Sequence, residues 1–316
     1  MAGPPELSII VVNWNTREMT LACLRSVYAE TRSTPFELIV VDNGSHDGSA
    51  EAIAAEFPGV RLIVESVNHG FARANNLAAQ GARGDYILLL NSDTVVLDRA
   101  IDRLVEFARG HPSAKIWGGR TVFADGSVNI GSAWGRLTGW GAVVYATGLS
   151  RLLWRVPMFD PEGLRAWDRS SEREVDIVSG CFLLVERAFW NELGGFDPAF
   201  FMYAEEAELC ARARARGARP RVTPAAAIVH HGGGSAVEQH ATLAALFGGK
   251  IRLAAKHLPR VEAGVVRLSY LFAAGSRALA YSARATIDAR QRPRAETWRR
   301  LWTSRQEWAN PASDEG

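Results

Sequence analysis

Four short, strongly apolar runs alternate with stretches of helical periodicity between residues 7 and 109, and no other feature constrains the fold as much. Residues 7–12 (Leu-Ser-Ile-Ile-Val-Val) form a continuous β-branched run, the pattern of a strand covered on both faces. Residues 19–31 carry Leu21, Leu24, Val27 and Tyr28 at helical spacing. Strands are expected again at 36–41, 60–64 and 86–90, with helices at 49–57, 71–83 and 99–109 between and after them. Strands joined by helices of this length make right-handed βαβ units, so the fold class is α/β: a Rossmann-like, mostly parallel sheet flanked by helices.

In such a sheet, ligands bind beyond the carboxyl ends of the strands. The polar residues at those ends are Asn13 and Asn15, then Asp42 and Asn43, then Asn68, then Asn91 and Asp93. Each cluster falls just past the end of an expected strand, and this coincidence of position outweighs any single motif.

After about Trp117 the alternation fades. Residues 124–174 are rich in glycine and tryptophan without a clear period, which suggests an elaborated loop region over the site. Order resumes with an expected strand at 176–186, a helix near 204–216 and a short strand at 226–231; from Glu238 onward the chain reads helical and basic.

Bulk composition narrows the class. The 316 residues are 47% hydrophobic and 22% charged, as in ordinary globular proteins, and the net charge of +2 gives no case for nucleic-acid binding. Cys23, Cys181 and Cys210 show neither disulfide nor zinc spacing and fit a reducing compartment. The N-terminus lacks a basic region followed by an apolar one, so no signal peptide is expected. Residues 263–285 are apolar but broken by Arg267, Arg277 and Arg284, which argues against a spanning helix and for a cytoplasmic location.

Four motifs carry chemistry. In Asp42-Asn43-Gly44-Ser45-His46-Asp47-Gly48-Ser49, turn-making and capping account for Ser45 to Ser49. They do not account for Asp42, a carboxylate ending a buried strand, which can accept hydrogen bonds from a base or ribose edge. Asn91-Ser92-Asp93 follows a very apolar strand, and Asp93 lies too early to cap the next helix. One such carboxylate suffices for Mg²⁺ or Mn²⁺ when a nucleotide diphosphate completes the oxygen shell. Glu205, Glu206 and Glu208 open a helix after the aromatic stretch Phe200-Phe201-Met202-Tyr203. Complementing the helix dipole and pairing Glu208 with Arg212 explain part of this cluster, but three acids exceed what capping needs. A carboxylate there, partly desolvated, makes a better base. Finally, His230-His231-Gly232-Gly233-Gly234-Ser235 delivers an imidazole pair from a strand into a glycine run, and periodicity does not say which histidine acts.

Taken together, residues 6–260 closely resemble the inverting glycosyltransferases of family 2, in the subgroup that includes bacterial rhamnosyltransferases. The resemblance rests on Ser8 to Asn15, Val41 to Ser49, Asn68-His69-Gly70-Phe71-Ala72, Leu90 to Thr94, Gly194-Gly195-Phe196-Asp197, Phe201 to Leu209 and His230 to Ser235, in that order. It implies a GT-A fold, with a GT-A domain over residues 1–236 (nucleotide-binding half 6–123, acceptor-binding half 124–236) and a basic helical region at 237–316. It implies a nucleotide-sugar donor, dTDP-rhamnose or a UDP-sugar, a divalent metal (Mg²⁺ or Mn²⁺), and a saccharide or lipid-linked saccharide acceptor in cell-surface polysaccharide synthesis. By position, Asp42 recognises the nucleotide base, with Asn13, Asn15, Asn68 and Asn91 lining the nucleotide-sugar site. Asp93 and His230 contact the metal or diphosphate, and Glu206 is the catalytic base.

Two positions depart from the family pattern. Asn91 stands where the first acid of the Asp-x-Asp motif would be, and Glu206 stands where the base is usually the shorter Asp. The substituted base leaves a second reading, a non-catalytic partner subunit that binds nucleotide-sugars. A nucleotidyltransferase is the other alternative, but Asn13-Trp14-Asn15-Thr16 is not the glycine- and arginine/lysine-rich phosphate loop such enzymes carry after the first strand. The basic C-terminal helices, with Lys256, Arg260, Arg267, Arg277, Arg284, Arg290, Arg292 and Arg294, suggest contact with an anionic inner-membrane surface or, equally, a homodimer interface.

Overall fold

The computed structural model describes residues 3–232 and 239–310. Its central sheet is built from β1 (Leu7–Asn13), β2 (Phe36–Asn43), β3 (Arg61–Glu65), β4 (Tyr86–Asn91), β5 (Thr94–Val96) and β6 (Ile116–Val122), joined by strands Phe182–Glu186 and Arg221–His230. The order across the sheet is β3-β2-β1-β4, then Phe182–Glu186, β6, Arg221–His230 and β5. The first four strands are parallel, as the alternation requires. Phe182–Glu186 runs antiparallel to both β4 and β6, and Arg221–His230 runs parallel to β6 but antiparallel to β5.

The β-branched runs bury side chains on both faces because successive residues of a strand point to opposite sides. Leu7, Ile9, Val11, Val40, Leu88 and Leu90 pack against α1 (Arg17–Glu30), α2 (Ser49–Glu56) and α4 (Ala100–Gly110), through Leu24, Val27, Ile53, Ile101 and Leu104. Ile10, Ile39, Val41, Ile87 and Leu89 face the other way, onto Ala72, Ala74 and Ala78 of α3 (Gly70–Ala79), and share a core with Trp190, Phe196 and Leu209. Small residues on α3 let it lie close to the sheet. Register sets the site: Asn13 pairs with Asp42, and Val12 with Asn91, so three polar strand ends sit side by side.

Several boundaries differ from expectation for local reasons. Residues 176–186 are two pieces, Ile177–Val178 and Phe182–Glu186, because the chain turns at 179–181, where the Ser179 N–H bonds the Ser132 carbonyl. The strand expected at 226–231 starts at Arg221, and Pro224, which has no N–H for the ladder, coincides with its register shift between Thr223 and Ala227. Within the glycine-rich stretch, the expected loop contains a helix, Gly139–Thr147. Glu238 and the run Gly233-Gly234-Ser235 lie outside the described residues.

The chain divides into two compact units: the described residues of Met1–Trp134, Trp167–Phe201 and Glu205–Ala236, and those of Gly135–Ala166, Met202–Ala204 and Val237–Gly316. The second is helical, with Gln239–His257, Arg260–Ile287 and Arg292–Thr303 its longest elements. Its centre is the buried ring of Phe247, 4.7 Å from Tyr270, 5.6 Å from Trp308 and 6.0 Å from Tyr145. Burying a side chain of this size contributes about 2–3 kcal/mol. Arg277 lies against the rings of Tyr145 and Trp298, and Lys250 forms a half-buried ion pair with Glu162. Among the described residues no helix is long and apolar enough to cross a membrane.

Candidate active site

The ends of β1 and β2 are bound together by side chains. Asn13 is fully buried; its amide nitrogen donates to Asp42 Oδ2 at 2.6 Å and Ser45 Oγ at 3.0 Å, and its oxygen accepts from the hydroxyls of Thr16 and Thr20. Asp42 Oδ1 accepts from the Ser45 N–H at 3.0 Å. Each Asp42 oxygen retains a second lone pair, so the carboxylate is held in place yet still able to accept. Asn15 is exposed and left-handed at φ 52°, a conformation asparagine tolerates, and its Oδ1 accepts from the His46 N–H at 2.8 Å. Asn13 is therefore a strut for Asp42, whereas Asn15 stands at the surface.

Asn68 shapes the turn before α3. Its Oδ1 accepts from Asn43 Nδ2 at 2.9 Å and from the Gly70 N–H at 2.8 Å, while Asn43 Oδ1 accepts from the His69 N–H. Gly70 is required twice over: φ is +78°, and a Cβ there would lie 2.4 Å from the Phe201 carbonyl oxygen. That carbonyl also accepts from the Phe71 N–H at 2.8 Å. The aromatic loop is thus fixed to the start of α3.

Asn91, Asp93 and His230 meet although 139 positions separate the first from the last. The cause is strand pairing: His230 lies opposite Thr94, and the His231 N–H bonds the Asp93 carbonyl at 3.0 Å. His230 Nε2 is 3.3 Å from Asp93 Oδ1 and 3.4 Å from Asn91 Nδ2, while His231 is exposed. Geometry thus puts His230, the first of the pair, beside Asp93. Burial, the largest influence, pushes this imidazole down, but hydrogen bonds to Asp93 and Cys181 outweigh it and carry the pKa up to about 10.

Asn91 Oδ1 is buried without a hydrogen-bond partner. An amide oxygen, a carboxylate and an imidazole whose proton a metal would displace form a donor set that suits a divalent cation whose other ligands are phosphate oxygens. Among the described residues no cluster of three or more His, Cys, Asp or Glu could hold a metal. The protein alone would be a poor cage; with a diphosphate, the residues fit.

The acidic helix Glu205–Ala215 adjoins this group through residues 180–181. The Cys181 carbonyl accepts from the Asn91 N–H at 3.1 Å, and a Cβ on Gly180 would lie 3.3 Å from the Phe71 ring and 3.8 Å from Glu206 Cβ. Glu208 is fully buried against Arg212, which also donates to the Leu193 and Gly195 carbonyls. Its role is structural. Glu205 is buried, its Oε2 lacks a hydrogen-bond partner, and burial first, then the neighbouring Glu206 charge, raise its pKa well above the usual carboxylate range. Glu206 is half-buried. Just before them Tyr203 and Ala204 are both left-handed, at φ 70° and 72°. Non-glycine residues in this region cost on the order of 1–3 kcal/mol each and cluster at functional sites.

Sequence reasoning missed two supports. Cys181 reads as one more apolar strand residue, yet its carbonyl carries Asn91. Thr16 bridges the start of α1 to the loop after β4 through Ser92 Oγ at 3.1 Å, and only its place beside Asn15 hinted at that.

A mostly parallel sheet with polar residues at its strand ends, a carboxylate–imidazole pair and an acidic helix are the arrangement of a glycosyltransferase of GT-A architecture. Residues 8–176 match the family model described as glycosyl transferase family 2, and the chain belongs to that family. It is 31% identical over 210 residues to a Mycobacterium tuberculosis protein named N-acetylglucosaminyl-diphospho-decaprenol L-rhamnosyltransferase, covering 62% of this chain and 67% of that one. It is 30% identical over 236 residues to the O-antigen biosynthesis protein RfbC of Myxococcus xanthus, covering 72% of this chain but only 17% of that much longer protein. Among solved structures, the mannosyltransferase PcManGT from Pyrobaculum calidifontis, in complex with GDP-Man and Mn²⁺, superposes with a TM-score of 0.58 at 18% identity, covering 96% of this chain and 88% of that one. GalNAc-T7 with UDP, GalNAc and Mn²⁺ gives 0.56 at 15% identity, over 81% of this chain and 48% of that one. These likenesses show the fold.

Proposed function

We propose that the chain transfers a rhamnosyl group from dTDP-rhamnose to a hydroxyl of a lipid-linked saccharide, in one displacement that inverts the anomeric carbon. The observation that carries this reading is the junction at Gly180 and Cys181, where Glu206 adjoins the segment that supports Asn91 and contacts His230. The named activity of the mycobacterial relative supports the choice of sugar and of acceptor class.

In this mechanism Asp42 accepts hydrogen bonds from the nucleotide base, held there by Asn13 and the Ser45 amide. Glu206 takes the proton of the acceptor hydroxyl. The hydroxyl oxygen bonds to the anomeric carbon, and the bond from that carbon to the diphosphate oxygen breaks with its electron pair on the departing nucleotide. Asp93, His230 and the Asn91 amide oxygen would hold a divalent cation, which when bound neutralises charge on the diphosphate. Burial first, then the neighbouring Glu206, favour the protonated form of Glu205, which lessens repulsion between the two side chains.

A thermal-shift screen tests donor choice, because a ligand that binds only the folded state stabilises it by about 2.7 kcal/mol at a hundred times its dissociation constant. The expected result is a rise in Tm with dTDP-rhamnose and Mn²⁺ that exceeds the rise with UDP-hexoses or without metal. A larger shift with a UDP-hexose would reassign the donor; no shift with any nucleotide-sugar would contradict the reading.

A further inference from the structure

Helix Arg260–Ile287 presents an apolar face that no described residue covers. Val261, Leu268, Phe272, Leu279 and Ile287 are 82%, 67%, 58%, 75% and 91% exposed. The first four are spaced by seven, four and seven positions, so at 3.6 residues per turn they lie within about 40° of one another around the axis. The opposite side of the same helix buries Val266, Tyr270, Ala273 and Ala274. The stripe is therefore additional to the packed face, and runs on the order of 40 Å along the surface at 1.5 Å per residue.

The exposed charge on this helix and on the segments that flank it in sequence has one sign. Lys256, Arg260, Arg267, Arg284, Arg290, Arg292 and Arg294 are all exposed. The acids between 256 and 300 are Glu262, Asp288 and Glu296, none fully exposed and each engaged: Glu262 by the Gly139 N–H, Asp288 by Arg290, and Glu296 by Arg299 and Arg300. The same unit carries a second apolar tip of like composition, where Leu152, Trp154, Val156 and Met158 are exposed beside Arg151 and Arg155. An apolar stripe with arginine flanks and a tryptophan-bearing tip is the composition of a surface that lies in a lipid interface, apolar side chains among the acyl chains and cations on the headgroups. A second copy of the chain would bring these cations against their own kind, which disfavours it as the occupant.

We infer that the helix Arg260–Ile287 docks the protein flat on an anionic lipid bilayer through Val261, Leu268, Phe272, Leu279 and Ile287. This goes beyond the proposed transfer reaction and gives it a location, since a lipid-linked acceptor is presented at such a surface. The test needs neither donor nor acceptor, so it can fail while the reaction stands. The full chain is floated with vesicles of phosphatidylglycerol and phosphatidylethanolamine, and with vesicles of phosphatidylcholine alone, at low and high salt. The expected result is capture by the anionic vesicles, weakened by salt, and reduced at least roughly tenfold in the variant Leu268→Glu/Phe272→Glu/Leu279→Glu, whose side chains leave the core untouched. Arg260→Gln/Arg292→Gln/Arg294→Gln should weaken capture without changing Tm. The inference is overturned if the wild-type chain stays out of the floated fraction, if the Glu variant floats equally well, or if phosphatidylcholine captures the protein as strongly. It is also overturned if sedimentation finds a dimer that the Glu variant dissociates.

Discussion

Glu206→Gln is expected to reduce sugar transfer by about 10²–10⁴-fold, the usual contribution of a positioned general base, while nucleotide-sugar affinity changes little. The substitution keeps the side chain's length and removes its ability to take a proton. Glu205→Gln is the internal control. Burial and the adjacent charge already favour the protonated form of Glu205, and glutamine resembles that form in shape and in charge, so most turnover should survive. Progress curves for the two variants with saturating donor decide the matter. If Glu206→Gln turns over normally, the base is elsewhere. If the wild-type chain binds donor tightly yet neither transfers nor hydrolyses it, the chain is the non-catalytic partner that the longer acid at 206 left open.

Asp93→Ala has the second large effect. Asp93 Oδ1 lies 3.3 Å from His230 Nε2, and the neighbouring Asn91 Oδ1 is buried without a hydrogen-bond partner. Losing supports one layer removed from a metal costs about 10–100-fold in metal affinity, so losing the carboxylate itself should weaken Mn²⁺-dependent donor binding by at least about a hundredfold. Calorimetric titration of dTDP-rhamnose with Mn²⁺ and with EDTA reads this out. The wild-type chain should lose affinity when metal is removed, and Asp93→Ala should bind weakly in both conditions. Equal affinity of the two proteins, with and without metal, would remove Asp93 from the metal role.

The alternating strands and helices of residues 7–109 were legible because their signals are local. A strand buried on both faces is written as a β-branched run, and polar residues past its end announce themselves by position alone, as Asn13, Asp42 and Asn91 do. Their adjacency follows from parallel pairing in register. What the sequence hid is non-local. Nothing near Cys181 indicates that its carbonyl will carry Asn91, and periodicity leaves His230 and His231 equivalent until the resemblance, and then the antiparallel pairing of Arg221–His230 with β5, set His230 beside Asp93. Asn13 shows what a strand-end position leaves unwritten: its amide nitrogen holds Asp42 and Ser45, and its oxygen accepts from Thr16 and Thr20. The apolar stripe on Arg260–Ile287 is hard to see in the sequence because its residues are spread thinly among arginines and alanines, and only their exposure in the fold separates them from the packed face.

The central claim is a single displacement assisted by Glu206, and the configuration of the newly formed glycosidic bond tests it most directly. Nuclear magnetic resonance of the product made from dTDP-rhamnose and a lipid-linked saccharide reads the anomeric carbon. Single displacement predicts a product anomer opposite in configuration to the donor. A product that retains the donor's configuration would contradict it.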